Sequence, residues 1–222
     1  MKRPSLVALV LCLCALAARP AAGQMSLVSQ SRSVSIAGSS CGSPSASAPD
    51  FSLFVRSVSV ARGTVAQNST LSAASIVGTG STSPSGTGGG PCAGISGSSS
   101  LSITFTVSQA VNYTFQFTAS IGLCAPSMSF SGPNTSIIYN PATMGTTPQS
   151  VSGTIQPGSY TIAAASNGGP NNGTLTACGW DIDLSVAFQP GACCAANGTC
   201  TTAVASACTG TPGAPGSTCT PD

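Results

Sequence analysis

Between Leu101 and Thr118 the chain alternates almost without interruption between apolar and hydroxyl- or amide-bearing residues. Leu101, Ile103, Phe105 and Val107 are separated by Ser102, Thr104 and Thr106. Val111, Tyr113, Phe115 and Phe117 then alternate with Asn112, Thr114, Gln116 and Thr118. A period of two belongs to an extended strand, whose successive side chains point to opposite faces. One apolar and one polar face is what an antiparallel sheet covered on a single side requires. Ser108-Gln109-Ala110, between the two runs, has the length of a hairpin connection. Trp180, Ile182, Leu184, Val186 and Phe188 repeat the alternation over the longest stretch. Ser26 to Ile36, Phe51 to Val60, Met128-Ser129-Phe130 and Tyr160-Thr161-Ile162 supply further candidate strands.

Turn chemistry separates these runs. Ser131-Gly132-Pro133-Asn134, Gln156-Pro157-Gly158-Ser159 and Asn167 to Gly173 each stand between two strand-like segments. The expected fold is all-β: roughly nine or ten strands in an antiparallel β-sandwich, jelly-roll-like, followed by a small disulfide-rich tail module. A closed barrel is the second choice, because the loop lengths are irregular. Ser81 to Ser100, with its Gly88-Gly89-Gly90 run, reads as a long flexible connection. The expected organisation is a signal peptide at 1–23, a polar segment with a possible first strand at 24–50, the sandwich at 51–189 and a cysteine-rich module at 190–222.

The amino terminus sets the expected compartment. Lys2 and Arg3 precede an apolar run from Leu6 to Ala18, and Ala21-Ala22-Gly23 follow. That is the layout of a cleaved secretory signal, and roughly 13 apolar residues fall short of the about 20 that span a bilayer. The residues before Cys12 and Cys14 are leucines, which argues against a lipid anchor. Beyond Gly23 three arginines (Arg32, Arg56, Arg62) face four aspartates (Asp50, Asp181, Asp183, Asp222), a net charge of −1. Three scattered arginines make no basic patch, so no nucleic acid or anionic membrane is expected as a partner.

Nine cysteines follow the signal: Cys41, Cys92, Cys124, Cys178, Cys193, Cys194, Cys200, Cys208 and Cys219. All nine are disulfide candidates. Adjacent residues have Cα atoms about 3.8 Å apart, closer than the roughly 4.4–6.8 Å a relaxed disulfide prefers, so Cys193 and Cys194 should reach different partners. Such a knot lets a tail with almost no apolar core hold a shape. Four cysteines in the sandwich allow three pairings, of which Cys41–Cys92 with Cys124–Cys178 is the one written down. An odd total leaves one cysteine for another chain or for none. Zinc is disfavoured in the tail by the lack of His and of any Cys-x₂-Cys pair.

Catalysis has little to work with. After the signal there is no His, Lys or Glu, which removes Ser-His, Ser-Lys and glutamate-based glycosidase arrangements. No catalytic residue, metal site or cofactor is expected. Asp181 and Asp183 share one face of a strand and could share Ca²⁺, but two solvated charges on an outer face is the preferred reading. Trp180, Tyr113 and Tyr160 could stack on sugars, yet all three fall on apolar faces and are assigned to the core. Tyr139 is the expected exposed aromatic. Five Asn-x-Ser/Thr sequons begin at Asn68, Asn112, Asn134, Asn172 and Asn197, as chance allows in a chain this rich in Ser and Thr.

Two resemblances rest on these residues. Leu101 to Val107, Tyr113-Thr114, Ser129 to Pro133 and Gly153 to Ile162 together resemble the β-sandwich of many secreted bacterial proteins of uncharacterised function, a layout loosely shared with the pre-peptidase C-terminal domain. The likeness covers roughly residues 51–189 and rests on turn chemistry. Gly191, Cys193, Cys194, Gly198, Cys200 and Cys208 resemble the short GACC-type cysteine-rich modules of secreted bacterial surface proteins. Here Thr211 to Gly216 replaces the usual aromatic-containing Gly-Gly stretch. These resemblances imply a secreted, non-enzymatic cell-surface or matrix component, structural or adhesive, whose partner is a surface polysaccharide or another surface protein. A carbohydrate-binding module is the alternative.

Overall fold

The computed structural model describes residues 25–38, 40–84, 94–120, 124, 126–139, 146–171, 174–175, 177–195, 197–203 and 208–218. The segment read as a signal peptide, with Cys92, Cys219 and the sequon at Asn172, lies outside them. The chain enters in β1 (Ser26–Ala37) and turns back along the short β2 (Ser45–Ser47). It crosses to a second sheet for an antiparallel meander of β3 (Phe54–Val60), β4 (Gly63–Leu71) and β5 (Ser75–Pro84). β6 (Ser96–Val107) returns to the first sheet and β7 (Val111–Ser120) to the second. β8 (Ser127–Gly132) and β9 (Thr135–Ile138) form a hairpin in the first sheet, followed by β10 (Gln149–Ile155) in the second and β11 (Gly158–Gly168) in the first. A two-stranded ribbon, β12 (Pro170–Asn171) with β13 (Thr174–Leu175), leads into β14 (Cys178–Phe188) of the second sheet.

The resulting orders are β2-β1-β6-β11-β8-β9 and β10-β7-β14-β5-β4-β3, every pairing antiparallel. The fold is therefore all-β, a two-layer antiparallel sandwich in which the chain passes repeatedly from layer to layer. A tail module follows, with β15 (Gly191–Cys194) between β16 (Cys200–Ala203) and β17 (Thr211–Pro215).

The alternating runs line the interior. Leu101, Ile103, Phe105, Phe130, Tyr160 and Ile162 face Val111, Tyr113, Phe115, Phe117, Ile182 and Leu184 across one continuous core. Phe130 is its centre, edge-on to Tyr113 at 5.2 Å and Phe115 at 5.7 Å, with Phe105 and Tyr160 at 6.2 and 5.9 Å. The Tyr160 hydroxyl lies on Asn134 Oδ1 and, at 2.8 Å, on the carbonyl of Gln156 four residues upstream. This ties the β10–β11 corner to the β8–β9 turn.

Three sequence expectations change here. Ser108-Gln109-Ala110 joins strands of opposite sheets, so it is a corner between layers and not a hairpin. Two consecutive amphipathic strands can bury their apolar faces against each other only from opposite walls. The described sandwich sheets hold twelve strands rather than nine or ten. Part of the difference comes from the Gly- and Ser-rich segment read as a long connection: Ser81–Pro84 ends β5 and Ser96–Ser100 begins β6, leaving 85–93 outside the described residues. These strands hide because small residues face Trp180. A side chain at Gly80 would overlap the indole and the Ser99 hydroxyl, so the strand carries none there. The polar segment at 24–50 supplies β1 and β2 of the first sheet.

At the opposite end from Phe130 the interior turns polar, and Arg32 fills it. Its side chain is 1 % exposed. Nε donates to Gln30 Oε1 at 3.1 Å, Nη1 to the Ser69 hydroxyl at 3.1 Å and carbonyl at 3.4 Å, and Nη2 to the carbonyls of Asp50 and, at 2.8 Å, Ser52. The guanidinium also lies 5.6 Å from the Phe54 ring centroid. Burial lowers its pKa, Asp50 pulls it back up, and an arginine remains charged throughout. Arg32→Ala should destabilise the fold by at least about 3 kcal/mol, since it orphans the buried Ser69 acceptors and opens a cavity. Arg32→Lys, which keeps the charge with fewer donors, should cost about 1–2 kcal/mol. Urea unfolding followed by the fluorescence of Trp180, the single tryptophan, measures both.

Candidate functional site

With the interior filled, attention passes to the outer faces, where register puts side chains in rows. On the second sheet one row crosses the strands as Val55, Asn68, Thr79, Asp181 and Thr118. The next outward row is Ser57, Ala66, Ser81, Gly179 and Ser120. Two residues along a strand separate them, about 6.5–7 Å. Between them lies the row of Arg56, Gln67, Gly80, Trp180 and Ala119, of which Gln67, Trp180 and Ala119 are buried. The backbone of this middle row therefore forms a floor.

The result is a trough. Over β3, β4 and β5 it has a volume of about 320 Å³, lined by residues of these two rows and their floor. A second concavity of about 240 Å³ lies on the far side of the Ser81 row beside β14, lined by Ser81, Ser83, Ser120, Ala177, Cys178 and Gly179. Ser81 belongs to both. The depth comes from Ala66 and Gly179, which put a methyl and nothing where longer side chains would close it.

Asp181 stands on β14 in the row of Thr79 and Thr118, beyond the lining of either concavity, and Asp183 lies between Val77 and Gln116. Partial burial on the sheet, and then the charge of Asp183, raise the pKa of Asp181. Among the described residues no group of three or more Asp, Glu, His or Cys could hold a metal ion. Asp50 sits elsewhere, in a turn where its Oδ1 accepts the Ser52 amide at 2.9 Å; hydrogen bonding from the Ser52 side chain, and then from this amide, lowers its pKa.

The aromatic candidates are accounted for inside. Trp180 is buried and donates Nε1–H to the Ser99 carbonyl at 3.2 Å, while Tyr113 and Tyr160 belong to the core. Tyr139, expected to be exposed, is also buried, edge-on to Phe117 at 6.1 Å. The Tyr139 amide donates to the Met128 carbonyl at 2.8 Å, extending the β8–β9 pairing by one step, and its neighbour Ile138 takes the solvent side at 67 % exposure. All described tyrosines and the tryptophan are thus unavailable for stacking on a ligand.

Several sequon asparagines are engaged in the fold. Asn112 Oδ1 accepts from Thr154 Oγ1 at 2.9 Å and Gln189 Nε2 at 2.8 Å. Asn134 Oδ1 meets Tyr160, and Asn197 Oδ1 accepts the amide and hydroxyl of Thr199 at 3.1 and 2.7 Å. Asn68 is exposed on the trough wall.

The cysteines form a separate constellation. Cys124 is bonded to Cys178, tying the segment after β7 to the start of β14. In the tail the adjacent pair diverges, Cys193 to Cys208 and Cys194 to Cys200, so β15 is stapled on both sides. Cys41 is also disulfide-bonded. Just before the module Gln189 is bonded to Asn112 of the sandwich, and within the module the Gly216 amide donates to the Pro190 carbonyl at 3.0 Å.

The trough itself was not legible in the sequence, because Ala66, Thr79, Ser81 and Gly179 are unremarked small residues until strand pairing aligns them. A raised carboxylate pKa means the folded state binds the proton more tightly than the unfolded state. Stability is therefore lost as pH rises through the carboxylate range. Asp181→Asn should raise the melting temperature slightly at pH 7, and the gain should vanish as the pH is lowered through that range; thermal melts from pH 3 to 7 check it. Asp181 is largely exposed, so the effect should stay below about 1 kcal/mol. No protein-family model, no curated protein and no solved structure matches this chain.

Proposed function

We propose that the chain is a secreted, non-enzymatic component of a cell surface or extracellular matrix, structural or adhesive. The observation that carries this reading is the combination of a disulfide-stapled sandwich with a first-sheet outer face built largely of neutral hydroxyl and methyl groups. On the first sheet the outward rows include Ser33, Ser100 and Ala165, then Ser31, Ser102, Ala163 and Ser129, and contain no charge. The described disulfides favour an oxidising environment, and no helix among the described residues is long and apolar enough to cross a membrane. Arg32 is enclosed and cannot serve an anionic partner. The absence of His, and of Lys and Glu after the signal, leaves little acid–base chemistry.

The tail is the candidate attachment element, held to the sandwich by few contacts and stiffened by its own disulfides. Deleting residues 190–222 should release the protein from the cell surface into the medium while leaving the sandwich folded. Fractionation of cells and medium, with a Trp180 fluorescence melt of the truncated protein, measures this. Retention of the truncated protein on the cell would assign attachment to the sandwich instead. A carbohydrate-binding module is the second reading, and the trough on the second sheet is what favours it.

A further inference from the structure

We propose that the sandwich interior holds a buried water site built from the Gln67 amide and the Ser99 and Ser166 hydroxyls. Gln67 is 2 % exposed, and Ser99 and Ser166 are 0 % exposed. Four of their polar atoms, Gln67 Oε1 and Nε2, Ser99 Oγ and Ser166 Oγ, have no hydrogen-bond partner among the described residues. Strand register gathers them. Ser99 on β6 is paired with Ser166 on β11, so both hydroxyls enter the interior side by side from the first sheet. Gln67 on β4 is paired with Gly80 on β5, and the space above Gly80 is taken by Ser99 Oγ and the Trp180 ring. The amide thus enters from the second sheet beside the glycine that the Ser99 hydroxyl covers.

A buried amide or hydroxyl left unpaired is strongly disfavoured, and folded proteins satisfy such groups with protein partners or with ordered water. The protein neighbours are already committed. Arg32 Nη1 donates to the Ser69 hydroxyl at 3.1 Å, and Trp180 Nε1–H goes to the Ser99 carbonyl at 3.2 Å rather than to its hydroxyl. Thr82 Oγ1 is turned to Cys178 Sγ at 3.2 Å. The chemistry of the four atoms selects the ligand. Oε1 only accepts, Nε2 only donates, and the two hydroxyls do either. Water, which also donates and accepts, serves about three such groups at once. A metal cation would be repelled by Nε2 and would find no carboxylate in the set. The Arg32 charge, held on Ser69 two residues from Gln67, disfavours it further. An apolar ligand would leave all four atoms unpaired. Gln67 and Gly80 also line the floor of the trough on the opposite side of the sheet. A single strand layer therefore separates the site from solvent, and local opening of β4 and β5 is the route by which water exchanges.

The test uses the disulfide-intact chain from residue 24 to 222, in a high-resolution crystal structure and in NMR cross-relaxation between water and protein. The expected result is at least one ordered water within about 3.2 Å of the Gln67 amide and of the Ser99 or Ser166 hydroxyl. Cross-peaks should run from water to the Gln67 side-chain amide protons. Gln67→Met keeps a long unbranched side chain but none of its polar atoms. With water in place the variant should melt at or below the wild-type temperature, because it gives up satisfied water-mediated bonds. With a dry, orphaned amide it should melt higher, because the substitution removes an unpaired buried group. The wild-type structure decides the matter even where the variant fails to fold. A Gln67 amide bonded directly to Ser99 or Ser166, a dry site, a metal ion in the place of water, or a Gln67→Met protein that melts above wild type overturns the proposal.

Discussion

One buried charge holds the polar end of the sandwich together. The Arg32 guanidinium sits between β1 of one sheet and Ser69 on β4 of the other, and it also gathers the carbonyls of Asp50 and Ser52 from the crossing that joins the sheets. Its neighbour Gln30 donates to the Ala48 carbonyl at 3.0 Å, and the Ala48 amide returns to the Arg32 carbonyl at 2.9 Å. The aromatic core needs no such device, because Phe105, Phe115 and Phe130 fill it. Beyond them the apolar filling thins to the small cluster of Val34, Ile36, Val65 and Ile95. A long, forked donor links the buried Ser69 to the carbonyls of the crossing as a cross-brace, which offsets the desolvation of its charge.

The two sheets divide the labour. The outer face of the first sheet is a close array of serines, threonines and alanines, in which Ser33 and Ser100 hydroxyls meet at 2.9 Å and those of Thr104 and Thr161 at 3.3 Å. This face also holds a smaller concavity of about 150 Å³, lined by Ser31, Ser102, Ser129 and Ala163 among others. On the second sheet Asn68 and Thr79 are set apart from Ser57 and Ser81 by the low Ala66 and Gly80, and the relief this creates is the trough.

Much of the fold was legible. The period-two runs at Leu101–Val107, Val111–Phe117 and Trp180–Phe188 are strands with the expected face buried, and Trp180, Tyr113 and Tyr160 lie in the core. β5 and the start of β6 were hidden, because Gly78, Gly80 and Gly97 replace the apolar half of the alternation. Glycine there is a response to Trp180, Leu101 and Val65 from other strands, and no local pattern records that. Tyr139 misled for a related reason: flanked by Asn140-Pro141 it reads as a turn residue, but its backbone continues a hairpin that turns the ring toward Phe117.

The sequence by itself determined that the chain is extended and two-faced, since side-chain alternation in a strand is a local property needing no partner. Covalent geometry likewise required Cys193 and Cys194 to look in different directions, as their bonds to Cys208 and Cys200 do. Only the tertiary structure decided which sheet each strand joins, that Arg32 is enclosed, and that Ala66, Thr79 and Ser81 share one depression. Those outcomes depend on pairing between residues up to about a hundred positions apart, such as Thr79 with Asp181. Register between distant strands is set by how both faces of the whole sandwich fill, not by any segment alone.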